Sequence, residues 1–265
     1  MTTLRIINNR IKYCTYNSDQ DEPLGFFVGW CFLGYVQERE KGSGPRIYLL
    51  STQSKYVALT SSIRSGNDPK MVIYNRNGTY ERLYYSKIVT CRTRLTPTDQ
   101  QQAIVDQILA MYREGINVIV AYISGEPGTG KSTVPIIISQ ILDSPMCFSW
   151  DPRDPGDNLT NLITRVNAKP NHPLIVVMEE ADVVINDVLK GVRSHKDIPV
   201  PIRNKSEWNT MLDNLGLLHQ ELILIMTSNI SPDQIADQSV LRDGRCHFRF
   251  ALDQQITAKP KCKEA

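Results

Sequence analysis

The chain carries near its centre the sequence Gly125-Glu126-Pro127-Gly128-Thr129-Gly130-Lys131-Ser132-Thr133. It matches G-x-x-x-x-G-K-S, the pattern of a phosphate-binding loop. An apolar, β-branched run at residues 118–123 precedes it and suits a strand, and the apolar residues 134–142 that follow suit a helix. In such a loop the backbone N–H groups converge on phosphate, and the helix N-terminus adds partial positive charge. A chance glycine-rich turn explains this strand–loop–helix setting poorly, so we predict nucleotide binding.

Individual residues of this loop have separate predicted roles. Lys131 is expected to reach the β- and γ-phosphates of ATP, and the Ser132 hydroxyl is expected to ligate Mg²⁺. Gly125, Gly128 and Gly130 leave room for close approach of the backbone and for positive φ angles. The predicted ligands of residues 125–133 are therefore ATP and Mg²⁺.

Two adjacent acids follow a second apolar run. Residues 174–178 read Leu-Ile-Val-Val-Met, and Glu179 and Glu180 come directly after them. We expect Glu179 to serve the metal and Glu180 to polarise the attacking water, with Asp182 supporting the surrounding shell. Two acids after a strand are more often a solvated edge, but their position after the phosphate-binding loop favours the catalytic interpretation.

Two further motifs lie nearer the C-terminus. Residues 222–229 read as a buried strand that ends at Asn229, which could orient the water or contact the γ-phosphate; the alternative is a turn asparagine. Residues 241–245 place Arg242 and Arg245 on either side of a tight turn. A solvated loop is the ordinary interpretation. The sharper one is an arginine finger, which stabilises charge on the phosphoryl group of a neighbouring subunit.

The composition is that of an ordinary globular protein, with 265 residues, 41% of them hydrophobic and 22% charged. The net charge of +2 is too small to indicate nucleic acid or an anionic membrane as a partner. Six scattered cysteines argue against a zinc site or disulfide framework and suit the cytoplasm or another reducing compartment. We expect no signal peptide, and the longest uncharged run, at residues 23–36, is too short to span a membrane.

A change of pattern near residue 95 predicts two domains and a tail. Residues 1–94 form a small β-rich N-terminal domain, with candidate strands at 4–16, 26–36, 46–51, 71–74 and 80–88. Asn77-Gly78, between the last two candidates, is a hairpin turn signal. Residues 95–252 are the predicted nucleotide-hydrolysing core, and residues 253–265 are a short basic tail.

Strands alternate with helices through the predicted core. A first helix begins at Thr98 or Asp99, and Gly115 lies just past its end. Candidate strands follow at 118–123, 146–150, 174–178, 222–227 and 247–251, with helices at 132–142, 159–166 and 206–218. This alternation predicts an α/β fold of the P-loop NTPase type, in which helices flank both faces of a parallel sheet.

Residues 96–250 resemble the AAA ATPase family, and the resemblance rests on four motifs in order, at 125–133, 174–182, 222–229 and 241–245. Residues 208–216 also look like the family's leucine- and asparagine-rich helix before the sensor strand. The resemblance implies that Asn229 is the first sensor and that Arg242 and Arg245 are trans-acting fingers. It also implies a homo-oligomeric ring.

Residues 157–163, before the acidic pair, are similar to one AAA subgroup, which contains the mitochondrial chaperone that moves the folded Rieske protein. The chain departs from the family's pattern in three ways. Only fifteen residues follow Phe250, so we expect the helical lid to be missing or vestigial. Residues 150–156 replace the usual aromatic–apolar–Gly pore loop, and we expect the subgroup's N-terminal membrane anchor to be missing.

Three classes of function are compatible with these features. The leading hypothesis is an oligomeric ATPase that couples hydrolysis to remodelling or movement of a protein partner. The second is a nucleic-acid motor, because residues 95–104 look like the glutamine motif of superfamily-one helicases. Dispersed basic residues and the acids Asp151, Asp154 and Asp157, which would repel phosphate, count against it. The third is a nucleotide-binding scaffold without turnover, which the missing lid favours and the acidic pair disfavours.

Overall fold

The computed structural model describes residues 11–16, 23–30, 32–37, 46–55, 70–79, 82–91, 95–166 and 168–254. The chain divides into two compact units, Met1–Asn67 and Asp68–Ala265. The start of the first predicted strand, the expected absence of a lid and most of the predicted tail concern residues outside this described part.

The first unit contains a four-stranded antiparallel sheet. Its strands, in spatial order, are β1 (Ile11–Tyr16), β2 (Pro23–Gly29), β3 (Phe32–Gln37) and β4 (Arg46–Ser51). The sequence predicted a single strand over residues 26–36, whereas the structure has a hairpin in which Val28 pairs with Leu33. Gly29 permits the reversal, because a Cβ atom there would lie 2.2 Å from the ring of Phe32.

The second unit is built on a seven-stranded sheet flanked by helices. The strands are β5 (Lys70–Asn77), β6 (Tyr84–Cys91), β7 (Val118–Gly125), β8 (Met146–Cys147), β9 (Leu174–Met178), β10 (Leu222–Ser228) and β11 (Phe248–Leu252). The helices are α1 (Asp99–Arg113), α2 (Thr133–Leu142), α3 (Leu159–Val166), α4 (Ala181–Lys190) and α5 (Lys205–Leu218). The strand order is β11-β7-β10-β9-β8-β5-β6. All neighbouring strands pair in parallel except β5 with β6, which confirms the predicted α/β class.

Both faces of this sheet are buried, which explains why its central strands read as continuous apolar runs. Along β7, Ile119 and Ile123 pack in the cluster that contains α1 and α2. Val120 and Tyr122 point the other way, into the cluster that contains α3, α4 and α5. Among the described residues, no helix is long and apolar enough to cross a membrane.

The hairpin of β5 and β6 belongs to the second unit, which places the division between units at residues 67 and 68. The sequence analysis placed the boundary at residues 94 and 95. The predicted hairpin is present, with Asn77 paired to Tyr84, but Ile73 also pairs in parallel with Met146 of β8. An isolated hairpin pattern does not reveal which sheet its edge joins, because that choice depends on a partner distant in sequence.

Asp157 ties this hairpin to the loop that follows β8. Its side chain is 0% exposed. The carboxylate accepts hydrogen bonds from Tyr85 Oη at 2.5 Å, Arg76 Nη1 at 2.8 Å and the Asp151 backbone N–H at 2.9 Å. Burial raises the pKa of Asp157, and these hydrogen bonds oppose the rise because they favour the ionised form. Burial, together with the hydrogen bond that Tyr85 donates to Asp157, raises the pKa of Tyr85.

Arginine side chains offset the negative charge of the loop at residues 151–157, which its own sequence does not indicate. Arg76 Nη1 also lies 2.5 Å from Asp154, and Arg153 pairs with Asp151 at 2.7 Å and with Asp187 at 2.5 Å. Each of the three loop acids therefore has an arginine partner, which weakens the expectation that they repel phosphate. The predicted strand at residues 146–150 is cut short at Cys147, and Trp150 Nε1 instead donates to the Asp157 carbonyl at 3.0 Å.

Replacing Arg76 with alanine should destabilise the second unit by about 3 kcal/mol, because it leaves the buried Asp157 carboxylate without its cation. The free energy of unfolding can be followed by the fluorescence of Trp150 and Trp208, which are both buried there. Arg203→Ala is the matched control, since Arg203 pairs with Glu207 at the surface within one helical turn. Equal stabilities of the two variants would contradict the role given to Arg76.

Candidate active site

The phosphate-binding loop leaves the carboxyl end of β7 and leads into α2. Gly125, with φ of 155°, lies so close to β11 that a Cβ atom would be 2.3 Å from the Leu252 carbonyl oxygen. Gly128 and Gly130 have φ angles of 87° and 79°, in the region that glycine tolerates without strain. Thr129 is buried, and its hydroxyl donates to the Glu126 carbonyl at 2.9 Å. The three predicted glycines therefore each lie where the absence of a side chain is needed, for a positive φ angle or for close approach of another strand.

Lys131 lies at the centre of the site. Its Nζ donates to the carbonyl oxygens of Gly125 at 2.6 Å and Glu126 at 2.9 Å, and to Asn229 Oδ1 at 3.0 Å. Partial burial lowers the pKa of Lys131, because the charged form loses hydration. An anion placed beside this ammonium would offset that cost, so the position is suited to a phosphate group.

The acidic pair follows β9 directly, at the same edge of the sheet. Ser132 Oγ donates to Glu179 Oε1 at 2.7 Å, so the two predicted metal ligands are already together. A hydroxyl and a carboxylate are oxygen donors of the kind that Mg²⁺ takes alongside phosphate oxygens, and they fit that ion. Glu180 is exposed and adopts the left-handed conformation, with φ of 50° and ψ of 44°. Such a conformation is uncommon for a residue other than glycine and occurs preferentially at functional sites.

Asn229 follows β10 and is held in place by residues behind it. Ser228 Oγ donates to Asp182 Oδ1 at 2.5 Å and accepts from the Ile230 backbone N–H at 3.0 Å. The Tyr122 hydroxyl, from a fully buried side chain on β7, donates to the Ile230 carbonyl at 3.0 Å. Asp182 thus supports the turn that carries Asn229, and Tyr122 is a contributor that no sequence motif indicated.

These groups enclose one cleft of about 430 Å³ at the carboxyl ends of the parallel strands. Its lining consists of Lys131, Ser132, Glu179, Glu180, Thr227, Ser228 and Asn229. The predicted phosphate ligand, metal ligands, base and sensor therefore converge, although they are separated by up to about a hundred residues in sequence.

The two predicted fingers have different surroundings. Arg245 is buried and pairs with Asp213 of α5, through Nε to Oδ1 and Nη2 to Oδ2, both at 2.8 Å. Its Nη1 donates to the Ser239 carbonyl at 2.7 Å. Arg242 is exposed, and its guanidinium makes no hydrogen bond with the described residues. Gly244, with φ of 89°, allows the tight turn between them, and the Arg245 N–H closes it on the Arg242 carbonyl.

This arginine turn lies at the opposite edge of the sheet from the cleft. It precedes β11, and the His247 N–H donates to the Val120 carbonyl near the start of β7. Val120 and Gly125 are five residues apart along β7, or about 16 Å at the usual rise of a strand. The arginine turn and the phosphate-binding loop therefore lie near opposite ends of β7.

The family model of the ATPase family associated with various cellular activities (AAA) matches residues 121–254, half of the chain. The chain belongs to the AAA family. No curated protein matches this chain at a significant level. Membership in the AAA family implies a P-loop NTPase fold and, in general, ATPase activity that uses ATP and Mg²⁺.

Gln101 is a further residue of this AAA protein that contacts the phosphate-binding loop. It lies in the first turn of α1 and is 1% exposed. Its Oε1 accepts from the Thr98 N–H and its Nε2 donates to the Gly130 carbonyl, both at 3.0 Å. Thr98 Oγ1 accepts from the Gln101 N–H in return, which completes a capping box and settles Thr98 as the cap. Residues 95–104 look like a glutamine motif in sequence, but this similarity did not predict the contact of Gln101 with the loop.

Gln101→Ala should weaken ATP binding about tenfold, since it leaves the partly buried Gly130 carbonyl and Thr98 N–H without a partner. Gln102→Ala is the matched control, because the Gln102 side-chain amide donates to Asp106 on the helix surface at 2.7 Å and, among the described residues, hydrogen-bonds to no part of the loop. Dissociation constants can be measured with a fluorescent ATP analogue. Equal affinities of the two variants would show that Gln101 does not position the loop.

Proposed function

We propose that the protein is a Mg²⁺-dependent ATPase whose active site is completed by a second copy of the chain, and that it couples hydrolysis to remodelling or movement of a partner. The observation that carries the proposal is the convergence of Lys131, Ser132, Glu179, Glu180 and Asn229 on one cleft. A lone phosphate-binding loop supports nucleotide binding, whereas an adjacent acidic pair and sensor support turnover.

Each side chain has a distinct role in this proposal. Lys131 exchanges its contacts with the loop carbonyls for the β- and γ-phosphates, and Ser132 and Glu179 hold Mg²⁺, which neutralises charge on those phosphates. Glu180 accepts the proton of the attacking water. Its carboxylate lines the cleft and forms no N-capping hydrogen bond with α4, the helix that it precedes. Asn229, beside Lys131, orients that water or contacts the γ-phosphate.

The position of Arg242 supports a shared active site. It is exposed, and the turn that carries it lies at the sheet edge opposite the cleft, which favours action on a nucleotide bound to another copy. Arg245 acts differently from the implied finger, because Asp213 and Ser239 of the same chain occupy its guanidinium. We assign Arg242 to the phosphoryl group and Arg245 to positioning of the turn. Ring assembly, which is typical of AAA proteins, agrees with this arrangement.

The similarity of residues 157–163 to the Rieske-protein chaperone subgroup supports a folded protein as the partner. A nucleic-acid partner is the second candidate, and two observations favour it. Arginines pair with the acids of residues 151–157, and the loop after α4 exposes Arg193 and Lys196. In the described part of the chain, Cys91, Cys147 and Cys246 are free thiols, which supports a reducing compartment such as the cytoplasm.

Lys131→Ala should abolish ATP binding, because it removes the cation from the β- and γ-phosphates. Glu180→Gln should retain binding and lower kcat by roughly 10²- to 10⁴-fold, since an amide cannot accept the proton from water. Binding and steady-state hydrolysis are measured on the same preparation. Hydrolysis by Glu180→Gln at the wild-type rate would refute the assignment of the base. A wild-type protein that binds ATP without turnover would support the scaffold interpretation.

Arg242→Ala should lower kcat and leave the affinity for ATP nearly unchanged, as expected for a group that acts in the transition state. Mixing this variant with Lys131→Ala should restore part of the activity, because some mixed interfaces combine an intact cleft with an intact Arg242. Arg245→Ala should lower the melting temperature as well, since it breaks the contact with Asp213. Turnover that is independent of protein concentration, together with no recovery on mixing, would exclude a shared site.

A further inference from the structure

The sheet of the first unit exposes an apolar face. Alternate residues of a strand point to opposite faces, and along β3 Phe32 and Val36 are buried whereas Leu33 and Tyr35 are exposed. The strand register places seven exposed side chains together on this face, here called the aromatic face: Tyr13, Phe26, Val28, Leu33, Tyr35, Tyr48 and Leu50. An exposed apolar patch of this kind is uncommon on a protein surface and generally marks a binding site.

The rings of this face form a row across three strands. Tyr35 of β3 is the register partner of both Phe26 on β2 and Tyr48 on β4. The ring centroids of Phe26 and Tyr35 are 4.9 Å apart. Tyr13 is 76% exposed and pairs with Val28, which extends the face to β1. The face therefore offers several ring surfaces within reach of one extended ligand.

The charge of the first unit indicates an anionic ligand. Strands β1 to β4 contain Lys12 and Arg46 but no aspartate or glutamate. Over residues 1–67 the sequence has eight lysines and arginines against five acids, whereas residues 68–265 have 22 against 23. Lys12 Nζ lies 3.1 Å from the ring centroid of Trp30, whose side chain is 81% exposed. The net positive charge of the chain thus comes from the unit that bears the aromatic face.

We infer that the aromatic face binds single-stranded nucleic acid. Aromatic side chains on a positively charged surface stack on unpaired bases of any sequence, while cations contact the phosphates. Lys12 of edge strand β1, whose Nζ lies over the exposed ring of Trp30, supplies one such cation in the same sheet. An apolar protein segment would use the aliphatic members of the face equally well and would gain nothing from net positive charge around it. The combination of exposed rings with the net positive charge of residues 1–67 therefore favours nucleic acid over protein.

The test measures binding of a fluorescently labelled oligothymidylate to the full-length chain by fluorescence anisotropy, in the absence of ATP. Tyr35→Leu keeps an apolar side chain but removes the stacking surface, so the affinity should fall roughly tenfold, and Tyr35→Phe should retain it. Tyr13→Ala should weaken binding by a similar factor. Tyr84→Ala is the matched control, because Tyr84 is 58% exposed in the second unit and should leave binding unchanged.

Salt dependence tests the cationic part of the site. Lys12→Gln should reduce the slope of log affinity against log salt by about 0.7, the value expected for one lost phosphate contact on a single strand. Circular dichroism of each variant establishes that the sheet is intact. The inference does not rest on the proposed function, since failure of hydrolysis would leave this binding unaffected.

Three results would overturn the inference. The first is no detectable binding of oligothymidylate by the wild-type chain at low salt. The second is equal affinity of Tyr35→Leu and wild type, which would mean that an apolar partner such as a protein segment, not a base, is the ligand. The third is self-association of the wild-type chain that Tyr13→Ala abolishes, which would make the face an interface between copies.

Discussion

The parallel register of β7 with β10, and of β10 with β9, is the constraint on which the candidate site depends. Ser124, just before the phosphate-binding loop, pairs with Ser228, just before Asn229. Met178, just before the acidic pair, pairs with Met226 on the same central strand. Parallel strands end at a common edge, so the three polar segments that follow them must meet. A slip of this register would separate Lys131 from Asn229, which are in direct contact.

The same sheet accounts for the separation of the arginine turn from the cleft. The arginine turn enters β11 from the amino edge, whereas the nucleotide cleft lies at the carboxyl edge. Both positions follow from β7 and β11 running in the same direction. Arg245, buried against Asp213, keeps the turn in place and leaves Arg242 as the exposed guanidinium. A surface that supplies an arginine at one edge and accepts one at the other is suited to repetition around a ring.

A buried charge network links the hairpin of β5 and β6 to the core. The Asp157 carboxylate accepts hydrogen bonds from Arg76 and Tyr85 of the hairpin, and Trp150 donates to its backbone carbonyl. A buried carboxylate is costly without such partners, so the hairpin and the loop at residues 151–157 depend on one another. These contacts connect the loop at residues 151–157 to the hairpin within the unit.

The sequence alone determined the chemistry of the cleft and the class of the fold. The residues at 125–133, the acids after β9 and Asn229 after β10 were recognisable because each motif is local, and apolar runs buried on both faces mark the strands. Only the tertiary structure decided that the β5–β6 hairpin joins the core sheet and that Gln101 contacts the phosphate-binding loop. It also distinguished Arg242 from Arg245. These features depend on contacts between residues far apart in sequence, and no local pattern of residue types specifies which distant partner a polar group or strand edge will find.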